Sequence, residues 1–323
     1  MTEVTIIGAG VAGLWAAYAI RKAGASVRLL DRHGPPGPHG CSWWAGGMLA
    51  PFCEGATAEA PVIAHGQNAE AAWAEVTEIT RKGSLVVALE RDKSELSRFA
   101  RRTKAHKLVE GSVLRALEPD LPGPSQALFF ETEAHLNPRQ ALADLTQSLL
   151  DKGVEIAVED VDPSEIGGTV IDTRGLAADV TGLRGVRGEM VVLRAPDVAL
   201  NRPVRLLHPR HPLYIVPRGD GIYMLGATQI ESMSRAGVTA RSLLELLSAA
   251  YALDPRFAEA EVLETGADLR PAFADNVPRV VVEGDTLHLN GLFRHGYLMA
   301  PALAQQAADF ILNGVQGDLV HAH

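Results

Sequence analysis

The chain has 323 residues, 47% of them hydrophobic, and a formal charge of −9, which is enough length for about two domains with full cores and counts against a nucleic-acid or acidic-membrane partner. Cys41 and Cys53 are its only cysteines, the sequence enters its first strand without a charged leader, and no apolar stretch approaches the roughly 18 residues that cross a bilayer. The expectation is a soluble protein of the reducing cytoplasm.

Residues 4–13 read V-T-I-I-G-A-G-V-A-G, a β-branched run broken by Gly8, Gly10 and Gly13. A strand gives way to a helix there. Gly8 permits a tight turn, Gly10 lets backbone N–H groups come against a pyrophosphate, and Gly13 lets the helix lie close to its strand. The helix N-terminus turns partial positive charge toward the phosphates. Ala12, Ala16, Ala17 and Ala19 suit close packing of a helix over 11–23, and Gly24 stops it. A strand over 26–30 follows and ends at Asp31, where a carboxylate can accept hydrogen bonds from ribose hydroxyls. This context predicts a dinucleotide site.

A Pro/Gly loop over 34–40 leads into C-S-W-W-A-G-G-M-L-A-P at 41–51. There Gly46 and Gly47 either let backbone approach a flat ligand or turn a hydrophobic loop. Residues 58–87 read as helix, and the mixed charges of 89–107 as a solvated helix face. Strand-like pieces are expected near Val113 and over 127–131. Asn137 and Pro138 open a helix with Leu142, Leu145 and Leu149 as its buried stripe and Gly153 as its stop. Strands over 154–158 and 169–172 follow, the second leaving through Thr173, Arg174 and Gly175.

Residues 189–193, 213–216 and 222–225 look like antiparallel strands of a second, sheet-rich domain. Thr239 precedes a helix with Leu243, Leu244, Leu247 and Tyr251 on one face, and D-L-R-P at 268–271 reads as a break in regular structure. The end repeats the opening pattern: a strand over 286–289, a loop over 290–297, and a helix carrying Leu303, Ala307, Phe310 and Ile311 that ends at Gly314. Such a unit can rejoin the N-terminal sheet. The expected fold class is α/β, a Rossmann-like domain of 1–55, 138–185 and 280–323 with an antiparallel-sheet domain of 56–137 and 186–279.

The opening fingerprint, A-G-G-M-L-A-P, Y-I-V-P-R (214–218) with G-A-T (226–228), G-A-D-L-R-P (266–271) and G-L-F-R-H-G-Y-L-M-A-P (291–301), in that order, resemble the glycine oxidase branch of the D-amino-acid oxidase superfamily nearly end to end. The resemblance implies a D-amino-acid oxidase/glutathione-reductase-like fold and a noncovalent FAD. It also implies oxidation of glycine or a small D-amino acid by hydride transfer to flavin, giving the 2-oxo acid, ammonia and hydrogen peroxide, with a role in thiamine biosynthesis. By motif position FAD would touch Gly8, Gly10, Val11, Ala12, Gly13, Asp31, Arg32, Cys41, Ser42, Gly46, Gly47, Met48 and Val161. The C-terminal loop would add Arg294, His295, Gly296, Tyr297, Leu298, Met299 and Ala300.

Tyr214, Arg270 and Arg294 are the catalytic residues carried over with the motifs. Chemistry supports them independently: a carboxylate in a dry pocket needs a guanidinium fork, and a phenol adds a hydrogen bond without adding charge. No protein base and no metal is implied. Trp43 and Trp44 stand where the family usually has small residues, and Gln229 stands where an apolar residue is expected, which bears on substrate choice. Related sarcosine and N-methyl amino-acid oxidases often hold flavin through a C-terminal cysteine, which this chain lacks. A D-amino-acid dehydrogenase would use the same substrate residues, and a dinucleotide-binding sensor would leave Arg270 and Arg294 without a role. The implied partners are a small amino acid and molecular oxygen; the sequence leaves a homo-oligomer open.

Overall fold

The computed structural model describes residues 3–209 and 212–322. In a seven-stranded sheet the order is Val320–Ala322, Arg279–Glu283, Thr286–Asn290, Thr169–Asp172, Glu3–Ile7, Ser26–Asp31 and Ile156–Val158. The opening strand pairs in parallel with both neighbours. Four successive residues, Val4 to Ile7, are buried, so both faces of this strand are covered, as a parallel sheet requires. The helices Val11–Lys22, Pro138–Asp151 and Gly296–Asn313 pack together, and Leu14, Ile20, Leu142, Leu145, Leu149 and Leu303 join Ile6 and Leu29 in one apolar cluster. Asn137 caps the second of these helices by accepting from the Arg139 N–H at 3.1 Å. The C-terminal strand–glycine–helix unit rejoins the opening sheet, with Thr286–Asn290 parallel to Thr169–Asp172.

A nine-stranded, mostly antiparallel sheet runs Ile230–Glu231, Arg184–Arg194, Ile222–Gly226, Leu213–Pro217, Val204–Leu207, Ser84–Ala88, Gln126–Phe130 and Lys107–Glu110, and Glu261–Ala272 lies along Arg184–Arg194. The fold is thus α/β with one largely parallel and one largely antiparallel sheet. No helix among the described residues is long and apolar enough to cross a membrane.

Several local expectations are corrected. Residues 58–87 hold two short helices, Ala60–Gly66 and Ala69–Ala74, and then the strand Ser84–Ala88. Gly83, at φ +71, turns the chain, and S-L-V-V-A is buried throughout, the pattern of a central strand. The charged run 89–107 contains the helix Lys93–Arg102 and then enters an edge strand at Lys107. Val113 belongs to the helix Gly111–Leu117, because Gly111 at φ +54 turns that edge strand into a helix. The helix Ala240–Leu253 buries Ser242, Leu246, Ala249, Ala250 and Leu253 and exposes Leu244 and Tyr251. Its apolar residues surround the axis, so the sheet against which it packs sets the inward face. Residues 268–271 are no break: they belong to the 12-residue strand Glu261–Ala272, with Arg270 opposite Val186 and Pro271 opposite Gly185. Proline suggests a break because it cannot donate to the ladder, and here it sits one residue from the strand's end.

Candidate active site

A cleft lined by both sheets starts at Gly8 and Gly10 and reaches Tyr214, Arg270 and Arg294. Gly8 has φ +106, and a Cβ on it would lie 2.8 Å from Thr173 Oγ1. That hydroxyl is 2.9 Å from the carbonyl oxygens of both Ile7 and Gly8, locking the first turn to the neighbouring strand end. Gly13 does not line the cleft. Its role is the close approach of helix to strand, since a Cβ there would lie 1.8 Å from the Gly8 carbonyl oxygen. Asp31 accepts from the Ala9 N–H at 2.8 Å and the His33 N–H at 2.7 Å. A carboxylate has about four acceptor positions, so two remain for ribose hydroxyls at the cleft wall. Arg32 and Val161 line this end. Ser42 Oγ accepts from the Val11 N–H at 3.1 Å, bringing the Cys41–Trp44 turn over the helix N-terminus. Cys41, Ser42, Gly46, Gly47 and Met48 line the cleft, with Val11 and Ala12. Small residues, a helix N-terminus and a strand-end carboxylate together fit an adenine dinucleotide.

At the other end, Tyr214 stands on Leu213–Pro217 opposite Gly226. A Cβ on Gly46 or on Gly226 would lie 3.0 Å from a Tyr214 atom, so two glycines make room for this ring. Its hydroxyl has no hydrogen-bond partner among the described residues, and burial raises its pKa. Arg270 donates from Nη2 to the Thr228 carbonyl at 2.6 Å, its Cζ lies 5.4 Å from the Phe293 ring centre, and a Cβ on Gly188 would lie 2.9 Å from that Cζ. Among the described residues no carboxylate pairs with Arg270, and burial lowers its pKa. A guanidinium held in such a place without a counter-ion calls for an anion from outside.

Arg294 differs. Its Nη2 is 2.9 Å from Glu54 Oε2, while Glu54 Oε1 meets Arg205 at 2.5 Å. Burial pushes the Glu54 carboxyl up, but Arg294 and Arg205 outweigh burial and hold it below the usual carboxylate range. His295, brought down to about 4 by burial, adds no charge at neutral pH. The three motif-derived residues therefore meet in one place with different electrostatic states: Arg270 is uncompensated and Arg294 shares a carboxylate.

A family model described as FAD dependent oxidoreductase matches residues 3–310. The chain belongs to that family. It is 50% identical, over 96% of each chain, to a Rhizobium etli protein provisionally named thiamine biosynthesis oxidoreductase ThiO. It is 27% identical to a glycine oxidase of Pseudomonas aeruginosa, over 96% of this chain and 94% of the relative. The crystal structure of glycine oxidase from Geobacillus kaustophilus superposes with a TM-score of 0.82 at 20% identity, over 99% of this chain and 97% of that one, a likeness of fold.

The C-terminal loop of this FAD-dependent oxidoreductase brings Arg294, His295, Gly296, Tyr297 and Leu298 to the cleft, but not Met299 and Ala300. Those two are almost fully buried in the core, because the helix starts at Gly296 and they already face its packing partners. They pack in the core behind the loop. The Tyr297 hydroxyl is 3.0 Å from the Ser42 carbonyl oxygen and 3.1 Å from that of Pro138, which ties this helix to the 41–47 loop.

Two participants escaped the sequence reading. Arg218 donates to the carbonyls of Leu136, Ala45 and Gly46 at 2.8, 3.0 and 2.9 Å. Burial brings its pKa down to about 10. It holds the Gly46–Gly47 turn in place, and the available signal was an arginine ending a buried strand in Y-I-V-P-R. Glu54 had no local signal: its role depends on two arginines distant in sequence. Trp44 lines the cleft and lies against Gly266, where a Cβ would sit 2.2 Å from its ring. Trp43 packs instead on the core cluster. Arg139 stacks over both indoles at 4.6 and 5.3 Å while making two 2.8 Å bonds to Glu264. Gln229 also reaches the cleft.

Proposed function

We propose that this oxidoreductase oxidises glycine or a small D-amino acid to the imine, which hydrolyses to the 2-oxo acid and ammonia, with molecular oxygen as acceptor and hydrogen peroxide as product, in thiamine biosynthesis. The observation that carries the reading is Arg270, a guanidinium that among the described residues has no carboxylate partner, sharing with Tyr214 the cleft that begins at the dinucleotide fingerprint. The names of the relatives support it. Residues 1–55, 138–185 and 280–323 serve as the flavin-binding unit and 56–137 and 186–279 as the substrate unit. Free Cys41 and Cys53 fit a cytoplasmic setting.

In this assignment Asp31, the first helix N-terminus and the 41–48 loop hold noncovalent FAD, with the backbone of 294–298 at the other end of the cleft. Bound FAD supplies the two-electron acceptor for conversion of the Cα–N bond to an imine. Arg270 grips the substrate carboxylate through Nη1 and Nη2, and Tyr214 adds a hydrogen bond, so the Cα is oriented from one side. The positive field of Arg270 and Arg294 disfavours an ammonium group and so favours the neutral amine. Glu54 is tied to Arg205 and Arg294 and is not free to act as a base. Trp44 limits the space for a side chain on Cα.

The test is the absorbance spectrum of the purified protein before and after anaerobic glycine, followed by oxygen uptake and peroxide release in air. Bleaching with rapid peroxide formation is expected. A spectrum that does not respond to glycine refutes the substrate, and bleaching without oxygen uptake refutes the oxidase in favour of a dehydrogenase.

A further inference from the structure

A second cavity shares Tyr214, Arg294 and His295 with the cleft and extends outward from it. Its outer wall carries Arg98, Arg102, Arg184 and Arg205, with Glu95 and Glu231 as the acidic residues. Their charges are poorly balanced. Arg205 and Arg294 share the single carboxylate of Glu54. Arg98 stands 3.9 Å from Glu95, beyond hydrogen-bond range. Arg184 is 3.2 Å from the exposed Glu231 and 2.8 Å from Asn276. Arg102 has no acidic partner among the described residues. Among the described residues, five guanidinium groups against three carboxylates leave two positive charges in this vestibule, before Arg270 is counted, in a chain whose formal charge is −9.

Glycine at neutral pH is a zwitterion with no net charge, and its one carboxylate is already provided for by Arg270. The outer arginines therefore have no task in holding it. Arg98 and Arg102 stand four residues apart on the helix Lys93–Arg102, so they share one face of it, and both open onto the cavity. We propose that the vestibule is an anion subsite in front of Arg270 that takes the second carboxylate of dicarboxylates, acidic amino acids included; this rests on Arg270 as the carboxylate clamp. An excess of positive charge inside a concave wall concentrates anions and binds a second carboxylate by charge-assisted hydrogen bonds.

The experiment titrates the FAD-loaded enzyme, by flavin absorbance and calorimetry, with carbon-matched acids: propionate against malonate, butyrate against succinate, valerate against glutarate. Matching controls for apolar contact, and the series finds the span. At low salt one dicarboxylate at least should bind on the order of tenfold more tightly than its partner. The preference should shrink between about 0.01 and 0.15 M ionic strength, as the screening length falls from about 30 to about 8 Å. It should fall toward unity in Arg98→Gln/Arg102→Gln, and further in Arg102→Glu, both at exposed helix positions. Acetate, which needs only Arg270, is the reference for each variant. Equal affinities within all three pairs of the parent, or a preference that survives both variants, overturns the subsite. Glycine oxidation is measured separately: its absence with the dicarboxylate preference intact refutes the glycine assignment and leaves the vestibule standing.

Discussion

Replacing Arg270 separates the two arginines that the motifs bring into the site. Arg270 has two backbone acceptors, the Thr228 carbonyl at 2.6 Å from Nη2 and the Val186 carbonyl at 3.5 Å from Nε, and a ring face beside it, but no carboxylate partner among the described residues. Nη1 and one Nη2 hydrogen are left for a substrate carboxylate. Removing them costs the charge-assisted hydrogen bonds, about 1.5 to 3 kcal/mol, so Arg270→Ala should raise the KM for glycine by about tenfold to a hundredfold. Arg270→Lys keeps the charge and loses the planar fork, and its effect should fall between parent and alanine variant. FAD content should be normal in both, because the dinucleotide groups lie at the other end of the cleft. Arg294→Ala should behave differently: it leaves buried Glu54 with Arg205 as its remaining arginine, so folding stability falls along with activity. Steady-state kinetics, flavin content and thermal melts of the three variants provide the assay. An unchanged KM in Arg270→Ala, with a raised KM in Arg294→Ala, would mean that the clamp is Arg294 and that the missing counter-ion is a poor guide to substrate binding.

Asp31→Ala should weaken FAD binding by about 1.5 to 3 kcal/mol in titrations of the apoprotein, and unaltered affinity would remove Asp31 from the cofactor site. Trp44→Ala should shift the ratio of glycine to bulky D-amino-acid turnover by on the order of tenfold, whereas Trp43→Ala should lower the melting temperature and leave that ratio alone; the reverse pattern would refute the placement of the two indoles. The pH dependence of stability has a calculable sign. His135 and His295 are each brought down to about 4 by burial, so between there and the unfolded value of about 6.5 the unfolded chain binds their protons and the folded chain does not. Each lowers stability as pH falls, by about 1.4 kcal/mol per unit. Glu133, raised to about 7 by burial, keeps its proton in the folded state above the unfolded value of about 4.3 and offsets one of them. Denaturant midpoints between about pH 5.5 and 6.5, above the range in which the unfolded carboxylates take up protons, should therefore fall with acid by no more than about one proton requires, and Glu133→Gln should make the slope steeper by about one more. A shallower slope in that variant would contradict the sign.

The noncovalent character of FAD binding has its own simple test. Acid precipitation should release the yellow colour into the supernatant, and colour that stays with the pellet would require a covalent link, in a chain that has no cysteine after Cys53.

The primary sequence determined the features whose causes are local. Glycine spacing at Gly8, Gly10 and Gly13, a cap at Asn137 and a left-handed stop at Gly314 each follow from the φ, hydrogen-bond and steric needs of a few neighbouring residues. The family motifs likewise named Tyr214, Arg270 and Arg294, and these converge in one cleft. Tertiary structure decided what depends on partners far along the chain. The strand Ser84–Ala88 became central only because Val204–Leu207 and Gln126–Phe130 flank it, and the inward face of Ala240–Leu253 was chosen by the sheet beneath it. Arg270 was expected at a break and instead lies on a long strand, because Arg184–Arg194 offers a full ladder to pair with. The same holds for charge: whether an arginine is a free clamp or half of an ion pair depends on where Glu54 falls in space. Coulombic coupling follows distance through the fold, and sequence separation does not report it.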